Sequence, residues 1–92
     1  MKAAAELQLI PIGEGLSLRS KIQRVVDLLG QYDFIIESHA SGTNIEGELS
    51  QILQAVERVH EAMHNDGVVR IVSFLKLETR TDKEISLAGK RL

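Results

Sequence analysis

From Leu49 onward the apolar residues Ile52, Leu53, Val56, Val59 and Met63 recur three or four positions apart, until Asn65-Asp66-Gly67 interrupts the pattern. That spacing places them along one stripe of an α-helix, and such a helix is stable in water only when a second layer covers the stripe. The chain must therefore supply a sheet or further helices for this element to lie on. Val68 to Leu77 is a nearly continuous run of β-branched and apolar residues, which reads as a strand buried on both faces, the fourth and central one of a sheet.

The remaining elements complete a repeating order. Glu6 to Ile12 alternates polar and apolar before turning wholly apolar, a strand that Gly13-Glu14-Gly15 ends. Ser17 is placed to accept from the free amides of a helix over Leu18 to Leu29, where Ile22, Val25, Val26 and Leu29 keep the helical period and Gly30 offers a stop. Gln31 to Ser38 carries Tyr32, Phe34, Ile35 and Ile36, which suit a pleated sheet, and Ser41-Gly42 turns the chain into a brief third strand over Thr43 to Glu46. Strand, helix, strand, strand, helix, strand is the α+β ferredoxin-like split βαβ sandwich (βαββαβ), two helices on a four-stranded antiparallel sheet. The pattern predicts one domain over residues 1–92, with a core of about 5–78 and a charged tail over 79–92.

Two helices cover only one face of such a sheet. In the last strand Val69, Ile71 and Leu75 point one way while Val72 and Phe74 point the other, and the first strand splits Leu7 and Leu9 from Ile10 and Ile12. An apolar second face is an association surface, so a homo-oligomer is expected.

Composition excludes several functions. Thirteen Asp and Glu against eleven Lys and Arg give a net charge of −2, with no basic patch to neutralise nucleic-acid phosphates. The absence of cysteine removes disulfides and thiolate metal sites and suits a reducing compartment, so the expected location is cytoplasmic. Met1-Lys2-Ala3-Ala4-Ala5 resembles the start of a leader, but Glu6 and Gln8 break it, and no run approaches the roughly 18 apolar residues of a membrane span. A soluble, unprocessed chain with no membrane or nucleic-acid partner is expected.

Three motifs carry possible chemistry. His60-Glu61-Ala62-Met63-His64 matches the H-E-x-x-H zinc-hydrolase pattern, but the extended signature's third histidine falls at Arg70, which cannot ligate, and no metal or cofactor is expected. A metal-dependent hydrolase using His60 and His64 is the minor alternative, against a solvated flank of an amphipathic helix; His39 reads as a hairpin-end residue. Gly13-x-Gly15 lies between strand and helix, but Leu18 stands where a dinucleotide fingerprint needs glycine, leaving a tight turn with a helix cap as the plainer reading. Ser41 to Glu48 crowds a hydroxyl, an amide and carboxylates. Either Glu46 and Glu48 serve the positive end of the second helix, or Thr43, Asn44 and Glu46 meet a small ligand, since a carboxylate beside such groups can accept from an aminopyrimidine.

Pro11-Ile12-Gly13-x-Gly15-x-Ser17, Gly42-Thr43-x-Ile45-Glu46-Gly47, His60-Glu61, Gly67-x-x-Arg70 and Thr79-Arg80-Thr81-Asp82-Lys83 resemble, in order and spacing, the small thiamine-binding protein family (YqgV- and YkoF-like). The Thr-Arg-Thr-Asp-Lys segment looks like the branch with yeast and archaeal members. The resemblance runs from about Glu6 to Lys90 and implies the ferredoxin-like fold, assembly as dimers and dimers of dimers through the sheets, and binding of thiamine or its hydroxymethylpyrimidine part without catalysis. It implies Ser17, Thr43, Asn44 and Glu46 near the ligand, and a structural role for His60 and Glu61. Of the few aromatic side chains, Phe74 on the open face is the expected platform for a pyrimidine ring. A structural or regulatory oligomer with no small ligand is the other reading.

Overall fold

In the computed structural model, which describes residues 1–13 and 19–91, the elements run β1 (Lys2–Ile12), α1 (Arg19–Leu29), β2 (Ile35–His39), β3 (Gly42–Glu48), α2 (Leu49–Asn65) and β4 (Arg70–Glu78), followed by a 3₁₀ turn at Ala88–Lys90. The sheet order is β2-β3-β1-β4, every pairing is antiparallel, and both helices lie on one side. This is the expected ferredoxin-like arrangement. Gly15, Ser17 and Leu18 lie outside the described residues, so the proposed cap and the first residue expected of the first helix do too.

The core forms where the helical stripes meet the sheet. Ile52, Ala55, Val59 and Met63 of α2 and Val25 and Leu29 of α1 are buried against Ala3, Ala5, Leu7 and Ile45. Leu53, expected on the buried stripe, is half exposed instead, because the stripe is centred one position further round the helix.

Four expectations about strands change. β4 is not central: it pairs with β1 alone and forms an edge. Its apolar run reflects one face on the helices, through Ile71 and Leu75, and a second face bearing Phe74, which is 59% exposed. The central strands are β1 and β3. β1 begins at Lys2, so the alanines that resembled a leader are buried strand residues. β3 extends over seven residues and is hydrogen-bonded to strands on both sides. Tyr32 and Phe34 precede β2 rather than join it, their rings stacked at 4.9 Å and 4°.

That stack explains one glycine of the Gly42–Gly47 segment. A Cβ at Gly47 would lie 2.4 Å from the Phe34 ring. At Gly42 it would lie 2.8 Å from the Leu7 carbonyl oxygen, a backbone atom in the neighbouring strand that cannot step aside. Both glycines are required by close approach.

The histidines of the H-E-x-x-H stretch are engaged within the fold. His60 Nε2 is 2.8 Å from Ser73 Oγ, tying α2 to β4, and His64 Nδ1 donates to the Val68 carbonyl at 2.8 Å as the chain leaves the helix. Among the described residues no group of three His, Cys, Asp or Glu side chains is placed to hold a metal ion.

Gly42→Ala is expected to cost roughly 1–3 kcal/mol in urea unfolding, as overpacking against an immovable neighbour does. Gly30→Ala, where a Cβ makes only 3.4 Å contacts, serves as the control and should fall within about 1 kcal/mol of the parent. Ser73→Ala should cost about 1–3 kcal/mol by leaving the half-buried His60 nitrogen without its partner; an unchanged unfolding midpoint would show that water replaces the hydroxyl.

Candidate functional site

Alternation along β3 decides what the Thr43–Glu46 cluster can do. Thr43 and Ile45 pair with Leu7 and Ala5 and face the helices, while Asn44 and Glu46 pair with Glu6 and Ala4 and face the opposite, open side. The polar cluster is thereby divided between two clefts on opposite faces of one sheet.

The helix-side cleft, of about 260 Å³, lies between α1 and the β2–β3 hairpin. Leu7, Leu9, Ile22, Val25 and Val26 form apolar walls, and Ser38, His39, Ser41 and Thr43 bring polar groups to it. None of its described lining residues is acidic.

The open-face cleft, of about 320 Å³, has Glu6, Glu37, Asn44, Lys76 and Glu78 on the sheet and Leu87, Lys90 and Arg91 from the C-terminal segment. His39 stands at its edge, with Nε2 3.2 Å from both Asn44 Oδ1 and Glu6 Oε2 and Nδ1 accepting from the Ser41 amide at 3.3 Å. This pattern is satisfied by the tautomer protonated at Nε2.

Glu46 is only 5% exposed and its two oxygens are taken. Oε1 accepts the Leu87 backbone N–H at 2.8 Å, and Oε2 is 3.4 Å from Lys2 Nζ, which also reaches Glu84 at 3.1 Å. Neither Glu46 nor Glu48 caps α2: the cap residue Glu48 makes no side-chain cap hydrogen bond and pairs with the N-terminal ammonium at 3.1 Å. The reason is again alternation, which sends both carboxylates to the open face.

The tail from Glu78 is therefore more than a charged extension. Ile85 and Leu87 are buried against Ala4 on the open face. Lys90 pairs with Glu78 and Arg91 with Glu37. The Lys90 hydrogen bond holds the Glu78 carboxyl below the ordinary glutamate range, so this tie is complete above the ordinary value and lost as pH falls through the lowered one. Hydrogen bonds to Glu84 and then Glu46 raise the Lys2 ammonium, whose ties persist until pH rises through that raised value.

Of the five expected site residues, the four that are described are not brought together into one site. Ser17 is outside the described residues, Thr43 lines the helix-side cleft, Asn44 lines the open-face cleft, and Glu46 lies beneath the tail. Phe74 faces the open side opposite Gln8, one row of side chains beyond Glu6, and lines neither cleft. Sequence reasoning missed Lys2, Ile85 and Leu87. The available signal was the Ile85-x-Leu87 alternation within the charged tail.

Comparison with known proteins bears on this architecture. The family model described as "Thiamine-binding protein" matches residues 5–91. The UPF0045 protein MJ1052 of Methanocaldococcus jannaschii is 38% identical over 89 residues, covering 97% of this chain and 88% of the relative. Its crystal structure superposes with a TM-score of 0.90 over 97% of this chain and 91% of that one. The UPF0045 protein YqgV of Bacillus subtilis is 30% identical over 93 residues, covering 96% of this chain and 89% of the relative. A protein of Thermotoga maritima described as a putative thiamine biosynthesis/salvage protein shares the fold, with a TM-score of 0.85 at 21% identity over 98% of this chain and 95% of that one. With the family model spanning nearly the whole chain and a relative 38% identical over almost its full length, this chain belongs to the thiamine-binding protein family.

Proposed function

We propose that this chain is a non-catalytic binding protein for thiamine or a hydroxymethylpyrimidine-type precursor, and that the pyrimidine half enters the helix-side cleft. The observation that carries this reading is the lining of that cleft: among the described residues, aliphatic walls with hydroxyl groups and an imidazole at the rim, and no carboxylate. A flat neutral heterocycle gains from apolar walls on its faces and a few hydrogen bonds at its edge, whereas a cationic thiazolium ring gains most beside a counter-charge. The volume, about 260 Å³, lies just under the roughly 300–1,000 Å³ of drug-sized sites and suits one ring with its substituents.

Thr43 is the described residue assigned to the ligand; Ser17, which the family resemblance also implies near the ligand, lies outside the described residues. Asn44, Glu46 and Phe74 belong to the opposite face and have no part in this cleft. Exposed Ile10, Ile12 and Phe74 on that face support a homo-oligomer assembled through the sheets; the same reading takes it as a cytoplasmic dimer of dimers, in line with the family resemblance and the lack of cysteine.

The test is a thermal-shift titration with thiamine, hydroxymethylpyrimidine and unrelated organic cations, since a ligand of the folded state must raise the melting temperature. Both pyrimidines should stabilise the chain and unrelated cations should not. Thr43→Val, which keeps the shape and removes one hydrogen bond, should weaken affinity about 2- to 10-fold. Phe74→Ala should leave affinity unchanged. The opposite pattern would move the ligand to the open face, and no shift with either pyrimidine would return the structural or regulatory oligomer as the better reading.

A further inference from the structure

The C-terminal segment Glu84–Arg91 touches every strand of the sheet, and at β1 it also pairs Glu84 with Lys2. Over β1, Ile85 and Leu87 bury Ala4; on β2, Glu37 receives Arg91; on β3, Glu46 accepts the Leu87 N–H; on β4, Glu78 receives Lys90. The segment crosses the sheet without adding a strand to it, so apart from the Glu46 bond these ties are side-chain pairs and two apolar residues. Its own backbone bonds are local, from Lys90 N–H to the Leu87 carbonyl and from Arg91 N–H to the Ala88 carbonyl. A piece held by so few long-range bonds is the kind that opens below the free energy of global unfolding.

The contacts are also of two kinds. The Lys90 and Arg91 pairs are exposed and are screened by salt, with a Debye length of about 10 Å at 0.1 M. The Glu46 bond is buried and charge-assisted, and is screened much less. Glu46 is therefore the latch and the outer pairs are aids.

The open-face cleft depends on this segment, because Leu87, Lys90 and Arg91 form one of its walls. We propose that residues Glu84–Arg91 are a strap that docks and releases as one unit, so that the open-face cleft exists only while Glu46 holds the Leu87 N–H. Release would strip Lys90 and Arg91, together with the single anion Glu84, from a face on which each strand presents a glutamate (Glu6, Glu37, Glu46, Glu78), a net loss of one positive charge, leaving Lys2, Lys76 and, at the far end, Arg70 as its cations. The closed strap is thus a neutralising cover, and any occupant of the cleft would bind the closed form and hold the strap down.

Native-state hydrogen exchange on the intact chain, without ligand, tests this independently of the thiamine reading. The Leu87 and Lys90 amides should exchange together, at least tenfold slower than unprotected amides and at least tenfold faster than those of Val59 and Ile52 in α2. Glu46→Gln keeps the shape and removes the charge. It should accelerate Leu87 exchange at least tenfold while leaving α2 unchanged, and added salt should act in the same direction by a smaller factor. Limited trypsin digestion gives a second readout, with faster cutting at Lys90 and Arg91 in the variant. Leu87 exchanging at the α2 rate, Leu87 unprotected in the parent chain, or a Glu46→Gln rate equal to the parent's would each overturn the proposal.

Discussion

Side chains along a strand alternate between its faces, and in this sheet the alternation separates a helix side from an open side with no exchange between them. The central pair β1 and β3 carries the consequence. Ala5–Ile45 and Leu7–Thr43 look into the core and the cleft under α1, while Ala4–Glu46 and Glu6–Asn44 look the other way. A one-residue slip would send Ile45 to solvent and Glu46 into the core, so burial fixes the register strongly. Neighbours in sequence, Thr43 and Asn44, consequently face different chemistry: one lies in a cleft whose described walls are mostly apolar and the other on a charged face.

The charged face explains how a buried carboxylate is tolerated. A buried charge is costly unless hydrogen-bonded and paired, and Glu46 has both a backbone N–H and a nearby ammonium. Neither partner comes from the sheet interior: Lys2 opens β1 and Leu87 lies beyond β4. Glu46 thereby joins both ends of the chain over the middle of the sheet. Ala4 makes the geometry possible, since a larger side chain there would occupy the space filled by Ile85 and Leu87.

The order of elements was legible because each has its own period or punctuation. The stripe from Ile52 to Met63 needs a helix, the paired apolar faces need strands, and Asn65-Asp66-Gly67 ends α2 where the pattern stops. The position of β4 was not legible. An apolar run records that both faces meet something apolar, but an edge strand with one face on helices and one face open reads the same as a central strand covered twice. Ala3 to Ala5 are missing from the expected first strand, which starts at Glu6, for a related reason: small residues give no clear alternation, so their place in β1 rests on pairing with β3 and β4. The candidate site was legible as residue types and not as an arrangement, because proximity in sequence says nothing of which face a side chain takes until the strand phase is known.

β1 spans eleven residues and therefore presents its open face in two halves. The half around Ala4 and Glu6 lies under or beside the C-terminal segment, while the half carrying Ile10 and Ile12 pairs with Val72 and Arg70 of β4 and stays partly exposed. The first half is rich in charge and is closed by the chain itself; the second is apolar and has no cover from the described residues of the same chain. Such a division limits how sheet faces can approach one another. An incoming apolar surface gains area at the Ile10–Phe74 end but would have to desolvate Glu37, Glu78, Lys90 and Arg91 at the other, which opposes full overlap of the faces. The C-terminal segment and the apolar end thus divide one surface, the first pairing carboxylates within the chain and the second leaving apolar area uncovered by its described residues.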